Sequence, residues 1–279
     1  MPRHLSFRTL KLKWLWALVA LLLVVALASG GIWVARALSD ETPAASAPDA
    51  APATAVPPVP SASPTANALP TKSAIAPDFS LPPIEDGMVP VLTKIPTAQK
   101  VVFLTIDDGG AKLPEDVALL RANKIKASLF LAKMFIANDP DYFKQFLTDG
   151  SKIENHTMSH QLNFIKLGYQ EQKNEICKMA DFEEQTYGRR PVFFRPPGGP
   201  YTNAIRKAAA ECGMKAIVTW EAKANAGRVD YQVGQVLRPG DIVLMHFRPE
   251  FAQDFQAFLD AKNAAGLEVV LLEDFLKVP

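Results

Sequence analysis

From Asp78 onward the chain alternates short strand-like runs with stretches long enough to hold a helix. The runs are Val101–Thr105, Ala127–Leu131, Lys152–Asn155, Val192–Arg195, Lys215–Thr219, Asp241–Met245 and Glu268–Leu271. Strands separated by helices pair in parallel, because a hairpin needs only a few linking residues. Most of the intervening stretches read as helical. Pro114 followed by Glu115 and Asp116 suits a helix start, and Gly213 suits an end after Asn203–Cys212. Seven such units predict an α/β fold. It is either an incomplete or distorted (β/α)7 barrel of parallel strands or a strongly twisted open sheet, and periodicity does not choose between them.

Two other kinds of sequence come before this region. Trp14–Val34 carries no charge and is dominated by Leu, Val and Ala. A helix of that length spans about 31 Å, close to a bilayer's hydrocarbon core. Arg3, Arg8, Lys11 and Lys13 lie ahead of it without an acid. Residues 1–13 are therefore expected in the cytoplasm, with 14–34 a signal-anchor helix and everything beyond it extracytoplasmic. Trp14, Trp16 and Trp33 sit near the two ends, where such rings favour the interface. Secretion after cleavage near Ala28 is the alternative, since Ala26-Leu27-Ala28 has the small-x-small form of a cleavage site. Residues 35–77 read as a linker, because Thr42–Pro77 is rich in Ala, Pro, Ser and Thr and has no aromatic residue. The remaining span, 78–279, is the expected catalytic domain.

Charge excludes little except nucleic acid. Lys+Arg total 30 against 29 Asp+Glu, a formal net charge of +1. A monomer is expected. Cys177 and Cys212 fall in predicted helices without metal-ligand spacing. Two buried free thiols are the simpler expectation, and a single bridge outside the cytoplasm is the alternative.

The residues that are costly to place all follow predicted strands. Asp107 and Asp108 follow Val101–Thr105, and His156 and His160 follow Lys152–Asn155. Arg195 ends Val192–Arg195, and His246 follows Asp241–Met245. In parallel α/β folds the carboxyl ends of strands share one face, where sites are assembled from separate loops. If His156-Thr157-Met158-Ser159-His160 is helical, its two imidazoles project on one side and can share a cation. A carboxylate from Asp107-Asp108 would complete a two-histidine, one-carboxylate set suited to zinc, cobalt or ferrous iron. Adjacent residues at a strand end point in different directions, so one carboxylate can bind metal while the other faces the substrate.

Four motifs in order then resemble one family. Leu104-Thr105-Ile106-Asp107-Asp108-Gly109 is similar to the TFDDG motif of the polysaccharide deacetylase (NodB-homology, carbohydrate esterase family 4) domain. Gly150 through His160 resembles its second motif, G-x-x-I-x-N-H-[ST]-x-x-H. Arg195-Pro196-Pro197 resembles the third and Leu244-Met245-His246 the fifth. The resemblance runs from about Val101 to Leu272 and implies a hydrolase that removes acetyl groups from N-acetylated sugars of peptidoglycan or a chitin-like polymer. It implies a divalent metal, zinc foremost and cobalt next, held by Asp108, His156 and His160. It implies Asp107 as general base and His246 as general acid, with Arg195 beside them. Gly198 is the expected oxyanion donor, and Leu244 the lining of the acetyl-methyl pocket. Tyr201 and Trp220 are the expected aromatic walls. With this resemblance the expected fold is the barrel.

Three departures from the family pattern matter. The third motif continues Gly198-Gly199-Pro200-Tyr201, so its usual aromatic is displaced. The fourth is reduced to Trp220-Glu221-Ala222-Lys223-Ala224-Asn225-Ala226, without the aspartate that partners the arginine. Glu221 or Asp230 could replace it; failing both, Arg195 could pair directly with Asp107. Gly110 stands where proline is usual. Two other readings follow: a catalytically silent glycan-binding domain, and an O-acetyl esterase on the same fold.

Overall fold

The computed structural model describes residues 75–279. The expected cytoplasmic tail, the anchor helix and the linker as far as residue 74 lie outside them. Among the described residues no helix is long and apolar enough to cross a membrane.

The strands are β1 (Val91–Leu92), β2 (Val101–Asp108), β3 (Ser128–Leu131), β4 (Lys152–Asn155), β5 (Phe193–Phe194), β6 (Ala216–Val218), β7 (Ala222–Asn225), β8 (Arg228–Tyr231), β9 (Ile242–His246) and β10 (Glu268–Val269). The helices are α1 (Pro114–Ala122), α2 (Lys133–Ile136), α3 (Lys144–Thr148), α4 (Tyr169–Tyr187), α5 (Asn203–Glu211), α6 (Phe251–Ala264) and α7 (Leu272–Leu276). Short 3-10 turns lie at Pro140–Phe143 and Phe164–Lys166. Neighbouring strands run β1-β6-β5-β4-β3-β2-β9-β7-β8, with β10 also on β2. Every pair is parallel except the β7–β8 hairpin. The sheet curls into a half-barrel whose order ends at β1 and β8 rather than closing. All seven expected strands are present.

Strand β2 shows why the sheet is covered on both sides. Val101 and Phe103 join an inner cluster with Phe130, Phe193, Ile242 and Phe275. Val102, Leu104 and Ile106, of opposite parity, join an outer cluster with Val117 and Leu120 of α1 and Phe255 and Phe258 of α6. A strand buried on both faces reads as one continuous apolar run, as here. Pro114 opens α1 with Glu115 and Asp116 in its first turn, and Gly188 closes α4 at φ +75°.

Two features differ from expectation. Cys177 on α4 and Cys212 at the end of α5 form a disulfide, with Cα atoms 4.8 Å apart; they are not free thiols. Small residues bring the two helices together, since Ala180, Ala208 and Ala209 share one buried cluster with Ile176. The second is the β7–β8 hairpin, turned by Ala226 (φ 52°) and Gly227 (φ 70°). Positive φ at both central residues is the twist-matched two-residue turn.

Candidate active site

Parallel pairing sets the ends of β2, β4, β5 and β9 on one face, and the residues singled out by sequence meet there. In register, His246 on β9 neighbours Asp107 on β2, which in turn neighbours Phe130 on β3. Asp107 and Asp108 diverge as expected. Asp107 is buried, whereas Asp108 is partly exposed and has left-handed backbone at φ 76°.

The segment 156–160 is a loop rather than the helix that would bring i and i+4 together. Thr157 (φ 75°) and His160 (φ 46°) are both left-handed. The loop is held from three sides. Thr157 N–H donates to Asn155 Oδ1 and Ser159 N–H to Glu175 Oε2, while Thr157 Oγ1 accepts from His160 N–H. The carbonyls of Thr157 and Met158 accept from the N–H groups of Lys133 and Met134, at the start of α2. Strained backbone fixed by so many bonds is typical of functional segments. The two histidines therefore converge by loop geometry and not by helical spacing.

One donor atom from each of Asp108, His156 and His160 lies within 4.8 Å of the others. His156 Nε2 is 3.5 Å and His160 Nε2 3.0 Å from Asp108 Oδ1. Ligands at zinc bond lengths of about 2.1 Å in tetrahedral array stand roughly 3.4 Å apart, so the set fits a small divalent cation. Its chemistry fits as well. Asp108 Oδ1 is buried and faces two imidazole nitrogens, neither of which is aligned to donate to it, the arrangement of three ligand atoms turned toward a shared cation. His156 Nδ1 lies 2.7 Å from the Arg195 carbonyl. That oxygen accepts only, so Nδ1 carries the proton and Nε2 is left to the metal. Burial would raise the Asp108 pKa, but the two imidazoles hold it well below the usual carboxylate range. Burial would lower His156, yet Asp107 and Asp108 raise it.

Arg195 is fully buried and pairs directly with Asp107, Nη1 to Oδ1 at 2.6 Å. Neither expected substitute for the missing aspartate reaches it. Glu221 pairs with Arg238 and Asp230 with Arg228. The remaining Arg195 donors go to the carbonyls of Val218 and Thr219 and to Thr105 Oγ1. Asp107 Oδ2 faces the other way, 3.7 Å from His156 Nε2. His246 Nδ1 is buried without a partner, and burial lowers its pKa against the pull of Asp107 and Asp108.

The expected substrate residues occupy the same end. Leu244 is buried in register with Thr105, two residues below His246. Gly198 (φ 71°) and Gly199 (φ 97°) form the turn after Pro197, and Gly199 N–H donates to Pro196 O. The Trp220 ring packs on Gly199, whereas Tyr201 is exposed. Sequence reasoning missed Thr105 and Phe130, which touch Arg195 but look like ordinary strand residues. It also gave no role to Asn155, whose side chain ties the ligand loop to α4 by accepting from Thr157 N–H and donating to Ile176 O.

A model of the polysaccharide deacetylase family matches residues 94–217. A peptidoglycan-N-acetylglucosamine deacetylase of Bacillus cereus is 33% identical over 166 residues, covering 56% of this chain and 76% of that protein. An uncharacterized protein of Streptomyces coelicolor is 33% identical over 193 residues, covering 67% of this chain and 77% of its own. Among solved structures, a CE4 family pseudoenzyme from Bacillus anthracis superposes with a TM-score of 0.58 at 21% identity, covering 67% and 68% of the two chains.

Proposed function

The chain belongs to the polysaccharide deacetylase family, and from that premise we propose that it is a metal-dependent hydrolase that removes acetyl groups from N-acetylated sugars of peptidoglycan or a chitin-like glycan. The observation that carries the reading is the convergence of Asp108, His156 and His160 within 4.8 Å, flanked by Asp107 and His246 on adjacent strands. Asp108, His156 and His160 would hold the cation, zinc foremost. When bound, such an ion supplies Lewis acidity to the acetamide carbonyl and lowers the pKa of water.

The protein's own groups divide the remaining work. Arg195 engages Asp107 Oδ1, which leaves Oδ2 toward the cation site to take a proton from the attacking water. The Gly198 N–H is the proposed donor to the tetrahedral oxyanion. His246 in its protonated form gives a proton to the departing sugar nitrogen, which must leave as a neutral amine. Leu244 lies beneath His246 and bounds the space for the acetyl methyl, and Trp220 with Tyr201 lines the sugar cleft.

The disulfide supports export, since such bonds persist in oxidising compartments. With the uncharged run Trp14–Val34 it supports a single-pass, membrane-anchored protein with its catalytic domain outside the cytoplasm. One observation favours a second reading, a silent glycan binder: Arg195, without a carboxylate of its own, occupies the expected base directly. An O-acetyl esterase would use the same residues.

The decisive experiment uses the full chain in detergent, stripped of metal and reloaded with zinc or cobalt. Acetate release is measured from N-acetylated and O-acetylated oligosaccharides. Release from the N-acetylated substrate is expected. Asp107→Asn abolishes it with metal content unchanged, and His156→Ala loses both. Tight glycan binding without acetate under either metal would establish the silent binder instead.

A further inference from the structure

Arg195 is among the largest side chains wholly shut off from solvent, and among the described residues its ion-pair partner is Asp107. The edges of its guanidinium are occupied by oxygen acceptors: Val218 O at 2.9 Å, Thr105 Oγ1 at 2.9 Å, Asp107 Oδ1 at 2.6 Å and Thr219 O at 3.1 Å. Its flat faces offer no hydrogen to share. Two aromatic rings lie against them, Phe130 with its centroid 4.2 Å from Cζ and Trp220 at 5.6 Å. Both fall within the range where a cation is attracted to a ring's π face. Phe130 is fixed by register beside Asp107 itself. Trp220 reaches Arg195 because Gly199 has no Cβ to exclude its ring.

We propose that Phe130 and Trp220 are positioning residues that hold the Arg195 guanidinium by ring contact, so that Nη1 meets Asp107 Oδ1 and Oδ2 stays turned toward the cation site. A second carboxylate would pull the guanidinium toward itself. Rings attract the cation without offering an acceptor, so among the described residues the carboxylate that Arg195 meets directly is the one whose free oxygen is needed. The inference rests on the deacetylase reading for its kinetic consequence, but the ring contact is testable without activity.

Phe130→Leu keeps an apolar side chain and removes the ring. In the zinc-loaded full chain it should lower kcat roughly ten- to hundred-fold, with little change in KM or bound zinc. In an Arg195→Met background the same change should lower kcat no further, because the ring acts only through Arg195. Trp220→Phe should lose less kcat than Trp220→Leu, and this pair carries the comparison if Phe130→Leu fails to fold. Independently of turnover, the Arg195 Nε–H resonance should lose its ring-current shift and exchange faster with water in Phe130→Leu. An unchanged kcat and an unchanged Nε–H resonance, in a background where the parent releases acetate, would overturn the inference. A parent that releases no acetate would overturn the deacetylase reading instead, and the resonance alone would then decide whether the ring holds Arg195.

Discussion

At Gly199 an added Cβ would meet Trp220 Cη2 at 2.8 Å and Cζ3 at 3.2 Å, on backbone at φ +97°. The ring must move or the turn must open, and an alanine there also carries the strain of a conformation that L residues rarely adopt. Gly199→Ala should therefore cost about 1–3 kcal/mol in urea unfolding and raise KM for an N-acetylated oligosaccharide, since the displaced ring is the proposed wall of the sugar cleft. A variant with parent-like stability and KM would mean that the glycine is incidental. The same corner shows which residues a sequence reader can find. Asp107, Asp108, His156, His160 and His246 stood out because polar groups at strand ends are expensive there unless they are used. Phe130 and Thr105 did not, although both touch Arg195. A phenylalanine or a threonine in a strand is what β-propensity alone supplies, so neither reads as a departure.

Among the elements, the helix pair α4–α5 is joined by a bond that spacing could not reveal. Whether two cysteines pair depends on Cα separation and facing Cβ vectors, and these follow from how helices pack. Cys177 and Cys212 are 35 residues apart in sequence, yet their Cα atoms are 4.8 Å apart. A loop of that length, closed in the unfolded chain, corresponds to about 4 kcal/mol in the chain-entropy account. Cys177→Ser with Cys212→Ser should lower the unfolding free energy by an amount of that order, and reductant should lower the parent's melting temperature without affecting the double variant. A melting temperature indifferent to reductant would argue against the bond. The hairpin β7–β8 was equally hidden. Its turn is Ala226-Gly227, where the second position carries the turn glycine but the first lacks the asparagine or glycine that would advertise positive φ. Of the seven expected strands, β2, β3, β6 and β9 were legible as buried, largely apolar runs, whereas β1 is only two residues long and follows a proline.

Across the described residues, buried acids from distant segments act on one another. Glu154 on β4, Glu183 on α4 and Glu273 on α7 are all fully buried, and Arg189 is paired with Glu154. Glu154 also accepts from the N–H groups of Val192 and Phe193, which counter the upward push of burial. Glu183 has neither oxygen partnered and is raised well above the ordinary value by burial and then by Glu154. Glu273 has one oxygen on the Ser128 hydroxyl and is pushed up to about 8, by burial first and Glu154 second. A carboxyl whose folded pKa is raised binds a proton in the native state that the unfolded chain has already lost. Its stabilising contribution is complete below the ordinary carboxylate range and declines as pH rises toward about 8. The slope reaches about 1.4 kcal/mol per pH unit for each such group. Raised His156 has the same sign above its ordinary value, while lowered His246 has the opposite sign and contributes at most one proton. Urea unfolding at stepped pH should therefore show stability falling between about pH 5 and 8. In Glu273→Gln, whose amide keeps the Ser128 bond and cannot ionise, the fall should be shallower by close to one group's share, with the two proteins nearest in stability at the acid end. The histidines and the metal ligands cancel in that difference, so parallel curves for parent and variant would mean that Glu273 does not titrate in this window.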